Sequence, residues 1–218
     1  EKEIEKFLNL DYEKHLHDPF LMKDMDKAVE RILRALKNNE KIVVYGDYDA
    51  DGVSSSAIFH EFFKKIGFEN FHVHIPDRHL EGYGLNDDAI EEFISQKINL
   101  VITLDCGISD YEEVEELNKA GIDVVITDHH LAPDKLPNAF SVIDSKQPDD
   151  TYPFKYLCGA GVAFKVVKGI IMKGGFKITP NWEKWLLDLV CLATIADMVP
   201  LVDENRVLVY YGMKVLEK

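Results

Sequence analysis

One recurrence constrains this chain more than any other feature. Short β-rich apolar runs each stop at an aspartate or a glycine, and segments with helical spacing lie between them. KIVVYG at 41–46, LVITLD at 100–105 and DVVITD at 123–128 are almost unbroken apolar stretches. A strand with one wet face alternates apolar and polar residues, so unbroken runs are expected where both faces of a sheet are covered. FHVHI at 71–75, stopped by Pro76, and FSVID at 140–144 read as two further strands. Residues 53–66, 86–96 and 109–119 read as helices, with Asp51, Asn86 and Ser109 as candidate N-caps and Gly67 and Gly121 marking C-terminal ends. Residues 21–37 carry Met25, Ala28, Val29, Ile32, Leu33 and Leu36 at helical spacing. Strand and helix alternating at this spacing predict an α/β fold with a mostly parallel sheet flanked by helices. Beyond residue 150, the segments 159–173, 182–196 and 206–217 all read as helical, giving a helical C-terminal portion. The expected organisation is an N-terminal helical segment packed on the core (1–40), the α/β domain (41–205) and the start of a linker helix (206–218).

In open parallel sheets, ligands bind beyond the carboxyl ends of the strands. Those ends carry this chain's polar clusters. The first strand runs into GDYDADG with Asp47, Asp49 and Asp51, the second ends at Asp105, and the third ends at Asp128-His129-His130. Carboxylates crowded in one crevice repel one another and need protons or cations to coexist. Imidazole among them favours a transition metal such as Mn²⁺ over an all-oxygen Mg²⁺ site. The ligands are more than one ion requires, and two ions about 3.5–4 Å apart would use them all, activating water and stabilising attacking and leaving oxygens at phosphorus. DxDxDG also opens calcium loops of the EF-hand type. Counting from Asp47, the sixth residue is the required glycine, Gly52, but the twelfth is Ile58 where a bidentate Glu is needed.

Charge sharpens this reading. Lys and Arg number 25 against 39 Asp and Glu, a formal net charge of −14. That excludes a simple electrostatic nucleic-acid binder, which presents a basic face. It allows action on phosphates where bound cations invert the local charge. The three cysteines, Cys106, Cys158 and Cys191, form no CxxC pair, no apolar run reaches the roughly 20 residues of a membrane span, and no signal peptide is legible. A reducing, cytoplasmic setting without membrane partners is expected. The chain starts at Glu1 and ends in a helical segment, as a fragment of a longer protein would.

The motifs resemble the DHH phosphoesterase superfamily, whose triplet stands at Asp128-His129-His130, and more narrowly its RecJ-type branch of single-strand-specific 5′→3′ exonucleases. The stretches that carry the resemblance are YGDYDADGVSSSA (45–57), PDRHLEGYGLN (76–86), LVITLDCGIS (100–109), VVITDHH (124–130), YPFKYLCGAGVAFK (152–165) and LATIADMVPLVDENR (192–206). The resemblance implies a Rossmann-like domain and two divalent cations, Mn²⁺ or Mg²⁺. Asp49, Asp51, Asp105, His129 and Asp197 match the metal ligands, with Asp105 as the bridging carboxylate. Asp47 matches a supporting acid and His130 a group beside the scissile phosphate. Arg78, ahead of GYGL, is a candidate phosphate contact. Gly159 and Gly161, at the start of a helix, are candidates for a phosphate held on its N-terminus. Gly82 and Gly84 are expected to permit a tight loop near the crevice. Cys106 is expected to pack as a small apolar residue, and His15, His17, His60, His72 and His74 to be structural. Tyr152, Phe154 and Tyr156 are more readily core than base-stacking platforms.

The chain departs from the family in carrying Asp144-Ser145 where Asn-Pro is common, so no substrate role attaches to that position. The resemblance also implies a second, C-terminal domain facing the crevice, expected to lie beyond residue 218. The implied substrate is single-stranded DNA, in repair and recombination. The rival readings are a hydrolase of oligonucleotides, cyclic dinucleotides or small phosphoesters in the same superfamily, and a non-catalytic replication scaffold.

Overall fold

A computed structural model describes residues 7–80 and 82–218. Five strands, β1 (Ile42–Gly46), β2 (Phe71–His74), β3 (Leu100–Leu104), β4 (Asp123–Thr127) and β5 (Ser141–Ile143), form one parallel sheet of order β2-β1-β3-β4-β5. The helices are α1 (Met25–Asn38), α2 (Ala50–Ile66), α3 (Asp87–Ser95), α4 (Tyr111–Lys119), α5 (Gly159–Gly174), α6 (Leu187–Ala196) and α7 (Asp203–Leu216), with shorter turns at Tyr12–His15, Pro19–Leu21 and Trp182–Leu186.

The unbroken strands are explained by two cores. Ile42 and Val44 of β1 and Leu100, Ile102 and Leu104 of β3 face one core with α1, α2, α5 and α6. Val43, Tyr45, Val101, Val124 and Ile126 face the other, against Ala89, Ile90 and Phe93 of α3 and Val114 and Leu117 of α4. Strands β1 and β3 thus bury both sides of their pleat, whereas the edge strand β2 (Phe71–His74) is only half-buried. The described residues before β1 belong to the same body, since Tyr12, Met22, Met25, Val29 and Ile32 lie in the first core.

Local signals set the helix ends, and several differ from expectation, the last helix among them, which starts at Asp203 rather than at 206. The second helix starts at Ala50 rather than at 53, because Asp49 and not Asp51 caps it: Asp49 Oδ1 accepts from the amides of Asp51 (2.8 Å) and Gly52 (2.9 Å). Helix α4 starts at Tyr111, and its N-cap position is Asp110 rather than Ser109. The Asp110 carboxylate makes no cap, because it is drawn instead to the amide of Leu85 at 2.7 Å. The span 182–196 is broken into a 3₁₀ turn and α6. Asn86 does cap α3, accepting from Ala89 N at 2.9 Å.

A buried ion pair locks the helical layer. Lys165 on α5 and Glu204 on α7 are both fully buried and paired. Lys165 Nζ also donates to the carbonyl of His17 at 2.9 Å. Glu204 accepts from His17 N (2.7 Å) and from the Tyr152 hydroxyl. Burial lowers the Lys165 pKa, and Glu204 opposes that shift. Removing one partner strands a buried charge, so Lys165→Met alone is expected to cost about 3–5 kcal/mol. The double variant with Glu204→Leu should lose clearly less than the sum of the singles in urea-unfolding midpoints. Additive losses would mean that the pair is not coupled. Among the described residues, no helix is long and apolar enough to cross a membrane.

Candidate metal centre

Register brings the site together. Gly46, Leu104, Thr127 and Ile143 lie side by side on four neighbouring strands. The ladder continues for one more residue. The amide of Asp47 donates to Leu104 O (3.2 Å), that of Asp105 to Thr127 O (3.0 Å) and that of Asp128 to Ile143 O (3.0 Å). Asp47, Asp105, Asp128 and Asp144 therefore form a row along the carboxyl edge of the sheet. The β1/β3 junction is where the chain's winding reverses, which in doubly wound sheets of this order is the ligand crevice. Asp47 and Asp105 flank it.

Three groups converge there. Asp51, His129 and Asp197 each offer a ligand atom within 4.8 Å of one another, as do Asp47, Asp49 and Asp105, and Asp105, His129 and His130. Asp105 and His129 each belong to two of these groups. His129 Nε2 is 3.0 Å from Asp105 Oδ1 and 3.6 Å from Asp51 Oδ2, and its Nδ1 is 3.8 Å from Asp197 Oδ2. All five residues expected as ligands, and Asp47, thus lie together. Asp197 arrives from a different direction, as the residue that closes α6, with its amide on Ala193 O at 2.9 Å.

The chemistry of the donor set fits divalent cations. Asp47 Oδ1, Asp105 Oδ1 and His129 Nδ1 are buried and have no hydrogen-bond partner. Leaving such atoms unpaired costs stability, which a bound cation offsets. Burial, with the charges of Asp51 and Asp49, pushes the Asp105 carboxyl up to about 10 in the metal-free protein. Burial and the Asp49 charge also raise Asp47. Burial raises Asp51, against the amides of Ala160 and Gly159 and the His129 ring. The mixture of carboxylate oxygen and imidazole nitrogen suits Mn²⁺ and tolerates Mg²⁺.

Asp105 stands in a left-handed backbone conformation, φ 63°. Strain of this kind persists only where the surroundings enforce it. Gly159 is part of that enclosure: a Cβ there would lie 2.7 Å from Asp105 Cβ and 2.8 Å from its Oδ1. The amides of Gly159 and Ala160 donate to Asp51 Oδ2 (2.6 Å) and Oδ1 (2.7 Å). This corrects the expectation of a phosphate at Gly159 and Gly161. The N-terminus of α5 is filled by the Asp51 carboxylate, and Gly161 packs against Leu157.

His130 is arranged differently from His129. Its Nδ1 lies 2.7 Å from Asp128 Oδ1. That hydrogen bond, opposed by burial and aided by the Asp128 charge, raises the imidazole to about 9. Asp128 itself is buried, yet its bonds to His130 and the amide of Ile108 hold it below the usual carboxylate range. Arg78 is exposed on the rim, its guanidinium 5.2 Å from the centroid of the Tyr48 ring, and its charge acts on Asp47. Cys106 is buried as an apolar residue, as are Tyr152 and Phe154, whereas Tyr156 is exposed. Three features escaped the sequence. Asp128 organises the second histidine. Asp144 is buried in the aspartate row, pushed up to about 7 mainly by that burial. Tyr83 touches the site through its hydroxyl. Asp128 and Asp144 carried a signal in their places at the ends of apolar runs, and the tyrosine in its place between Gly82 and Gly84.

The fold and this centre define an α/β protein whose sheet edge gathers carboxylates and imidazoles to hold divalent cations. Comparison with known proteins gives the particular family. The chain belongs to the DHH family, whose N-terminal domain matches residues 41–194. It is 42% identical over 202 residues to the single-stranded-DNA-specific exonuclease RecJ of Bacillus subtilis (strain 168), a match that covers 93% of this chain and 25% of that protein. Among solved structures, exonuclease RecJ bound to manganese superposes with a TM-score of 0.79 at 34% identity, covering 88% of this chain and 48% of the other. RecJ of Thermus thermophilus in complex with Mn²⁺ gives 0.74 at 31% identity, covering 88% and 27%. The chain therefore spans about a quarter of the length of the curated relative it matches at 42% identity.

Proposed function

We propose that this chain is the catalytic core of a metal-dependent phosphodiesterase that removes nucleotides from single-stranded DNA in the 5′→3′ direction. The observation that carries the reading is the convergence of orphaned, buried ligand atoms from Asp47, Asp105 and His129 at one sheet edge. Asp49, Asp51, Asp105, His129 and Asp197 would hold two ions, Mn²⁺ or Mg²⁺, with Asp47 supporting them. Bound there, divalent cations supply Lewis-acid activation of water and neutralise charge developing at phosphorus. The rest falls to the protein's own groups. His130, its Nδ1 tied to Asp128, carries a proton at neutral pH and presents Nε2–H to a non-bridging phosphate oxygen. Arg78 gives a second, movable contact to phosphate from the rim. The similarity to RecJ structures that hold manganese supports the metal, and that to a single-stranded-DNA-specific exonuclease supports the substrate class. Grip on the strand and its polarity we assign to a C-terminal domain of the whole protein, with residues 206–218 leading toward it.

The test is hydrolysis of 5′-phosphorylated single-stranded DNA in Mn²⁺, beside blunt duplex and a dinucleotide, with chelator as control. Mononucleotide release from the single strand, abolished by chelator, is the expected result. Cleavage of the dinucleotide alone would replace the exonuclease reading by the small-substrate one.

A further inference from the structure

The loop between β2 and α3 reaches over the metal centre with one side chain. The Tyr83 hydroxyl lies 3.3 Å from the carbonyl oxygen of Asp105 and 3.2 Å from His130 Nδ1. Its ring meets the His130 ring edge-on, centroids 5.7 Å apart. A tyrosine has one proton to give, and the Asp105 carbonyl can only accept. The hydroxyl therefore donates to Asp105 and turns a lone pair toward His130 Nδ1. Nδ1 already faces a carboxylate oxygen of Asp128 at 2.7 Å. Two acceptors at one ring nitrogen fix the proton on Nδ1, and they oppose a flip of the ring.

The loop is built to hold this side chain still. Gly82 and Gly84 bracket Tyr83 at φ 81° and 84°, a conformation that other residues adopt with strain. Immediately after it, the buried Tyr45 hydroxyl donates to Gly84 O at 2.7 Å and receives from Asn86 Nδ2 at 3.0 Å. The Asp110 carboxylate holds the amide of Leu85 at 2.7 Å and closes against Gly84, where a Cβ would lie 2.9 Å from its Oδ1. Strand β1 and the α4 N-terminus thus anchor the loop on both sides of the sheet's central crevice.

We infer that Tyr83 is a positioning residue, whose hydroxyl couples the left-handed turn at Asp105 to the imidazole of His130 and aims its Nε2 into the crevice. Its effect on rate rests on the proposed phosphodiesterase reading; its effect on the imidazole does not. Two measurements on wild type and Tyr83→Phe test it. The first is kinetics on a 5′-phosphorylated single strand in Mn²⁺. Loss of the hydroxyl should lower kcat about tenfold while KM stays within about twofold, as for a group that acts on the transition state through another residue. The second is the ¹⁵N resonance of His130 Nδ1 without added metal. It should shift in Tyr83→Phe, with the ring gaining motion, while the melting temperature stays within about 2 °C. A raised KM with unchanged kcat would make Tyr83 a substrate contact and overturn the inference. An unchanged Nδ1 resonance would overturn it equally, even in a protein that hydrolyses nothing. Wild-type inactivity beside a shifted resonance would count against the phosphodiesterase reading alone.

Discussion

Asp105→Asn is expected to make the metal-free protein more stable and to remove the proposed hydrolytic activity. Asp105 is 2% exposed and sits among Asp51, Asp49 and Asp128. Asparagine has its shape, accepts the left-handed backbone better than most residues, and carries no charge. The variant therefore removes a buried repulsion without adding strain. The folded-state carboxyl is raised to about 10, against 3.8 for the ordinary group. Between those limits the folded protein binds more protons at this site than the unfolded chain. Stability in chelator must then fall as pH rises from 5 to 9. In Asp105→Asn that slope should flatten, leaving the variant about 1–3 kcal/mol more stable near pH 8. A cation takes the place of the proton, so Mn²⁺ should stabilise the wild type more as pH rises. The variant, lacking a ligand shared by two groups, should gain little. Its hydrolysis rate should fall by about 10³-fold or more, the scale of several kcal/mol of charge stabilisation. Thermal melts at pH 5, 7 and 9, in chelator and in Mn²⁺, decide the matter. A variant less stable than wild type in chelator, or one that keeps the full Mn²⁺ gain, would refute this account of Asp105.

The sequence revealed most of this centre because the sheet is parallel. Parallel strands end on one edge, so Asp47, Asp105 and Asp128 at consecutive ends of apolar runs had to be neighbours. Their register makes them a row. What lay beyond the sequence depended on elements that meet the edge from elsewhere. Asp197 closes a helix whose placement over the crevice is set by packing of α6 against α2 and α7, and only the family resemblance named it. Tyr83 depends on how far a loop leans, which Tyr45 and Asp110 fix from other elements. The α5 N-terminus read as a phosphate site because its sequence has the glycines of one. Its amides serve the protein's own Asp51 instead, since the helix points at the first carboxylate cluster. The start of α2 was misplaced for a related reason. DYDADG has the composition of a turn, yet Asp49 caps a helix that absorbs the rest of it.

That compact start makes Gly52→Ala a damaging methyl group to add. Gly52 lies in the first turn of α2, where propensity alone says that alanine should stabilise by about 0.5–1 kcal/mol. The surroundings reverse the sign. A Cβ at Gly52 would lie 2.4 Å from the carbonyl oxygen of Asp47 and 2.6 Å from its C and Cα, all backbone atoms that no rotamer change can move. Neither partner is free to retreat. Asp47 is held by the hydrogen bond that its amide donates to Leu104 O at 3.2 Å, and the helix start is held by the Asp49 cap and by Asp51 on the amides of Gly159 and Ala160. The three acids of DYDAD lie between these fixed points, so any relaxation displaces ligands. Gly52→Ala should lose about 3 kcal/mol or more, at the upper end for overpacking. It should also weaken Mn²⁺ binding by about tenfold or more, the scale seen when residues supporting ligands are disturbed. Gly67→Ala is the control, at φ 74° with nothing within 4 Å of the added Cβ. It should cost about 1–2 kcal/mol from backbone strain alone and leave Mn²⁺ affinity unchanged. Chemical unfolding and Mn²⁺ titration of both variants separate the two effects. If Gly52→Ala matched Gly67→Ala in stability and bound Mn²⁺ as wild type does, the tight turn that joins β1 to α2 would not be what sets the carboxylates in place.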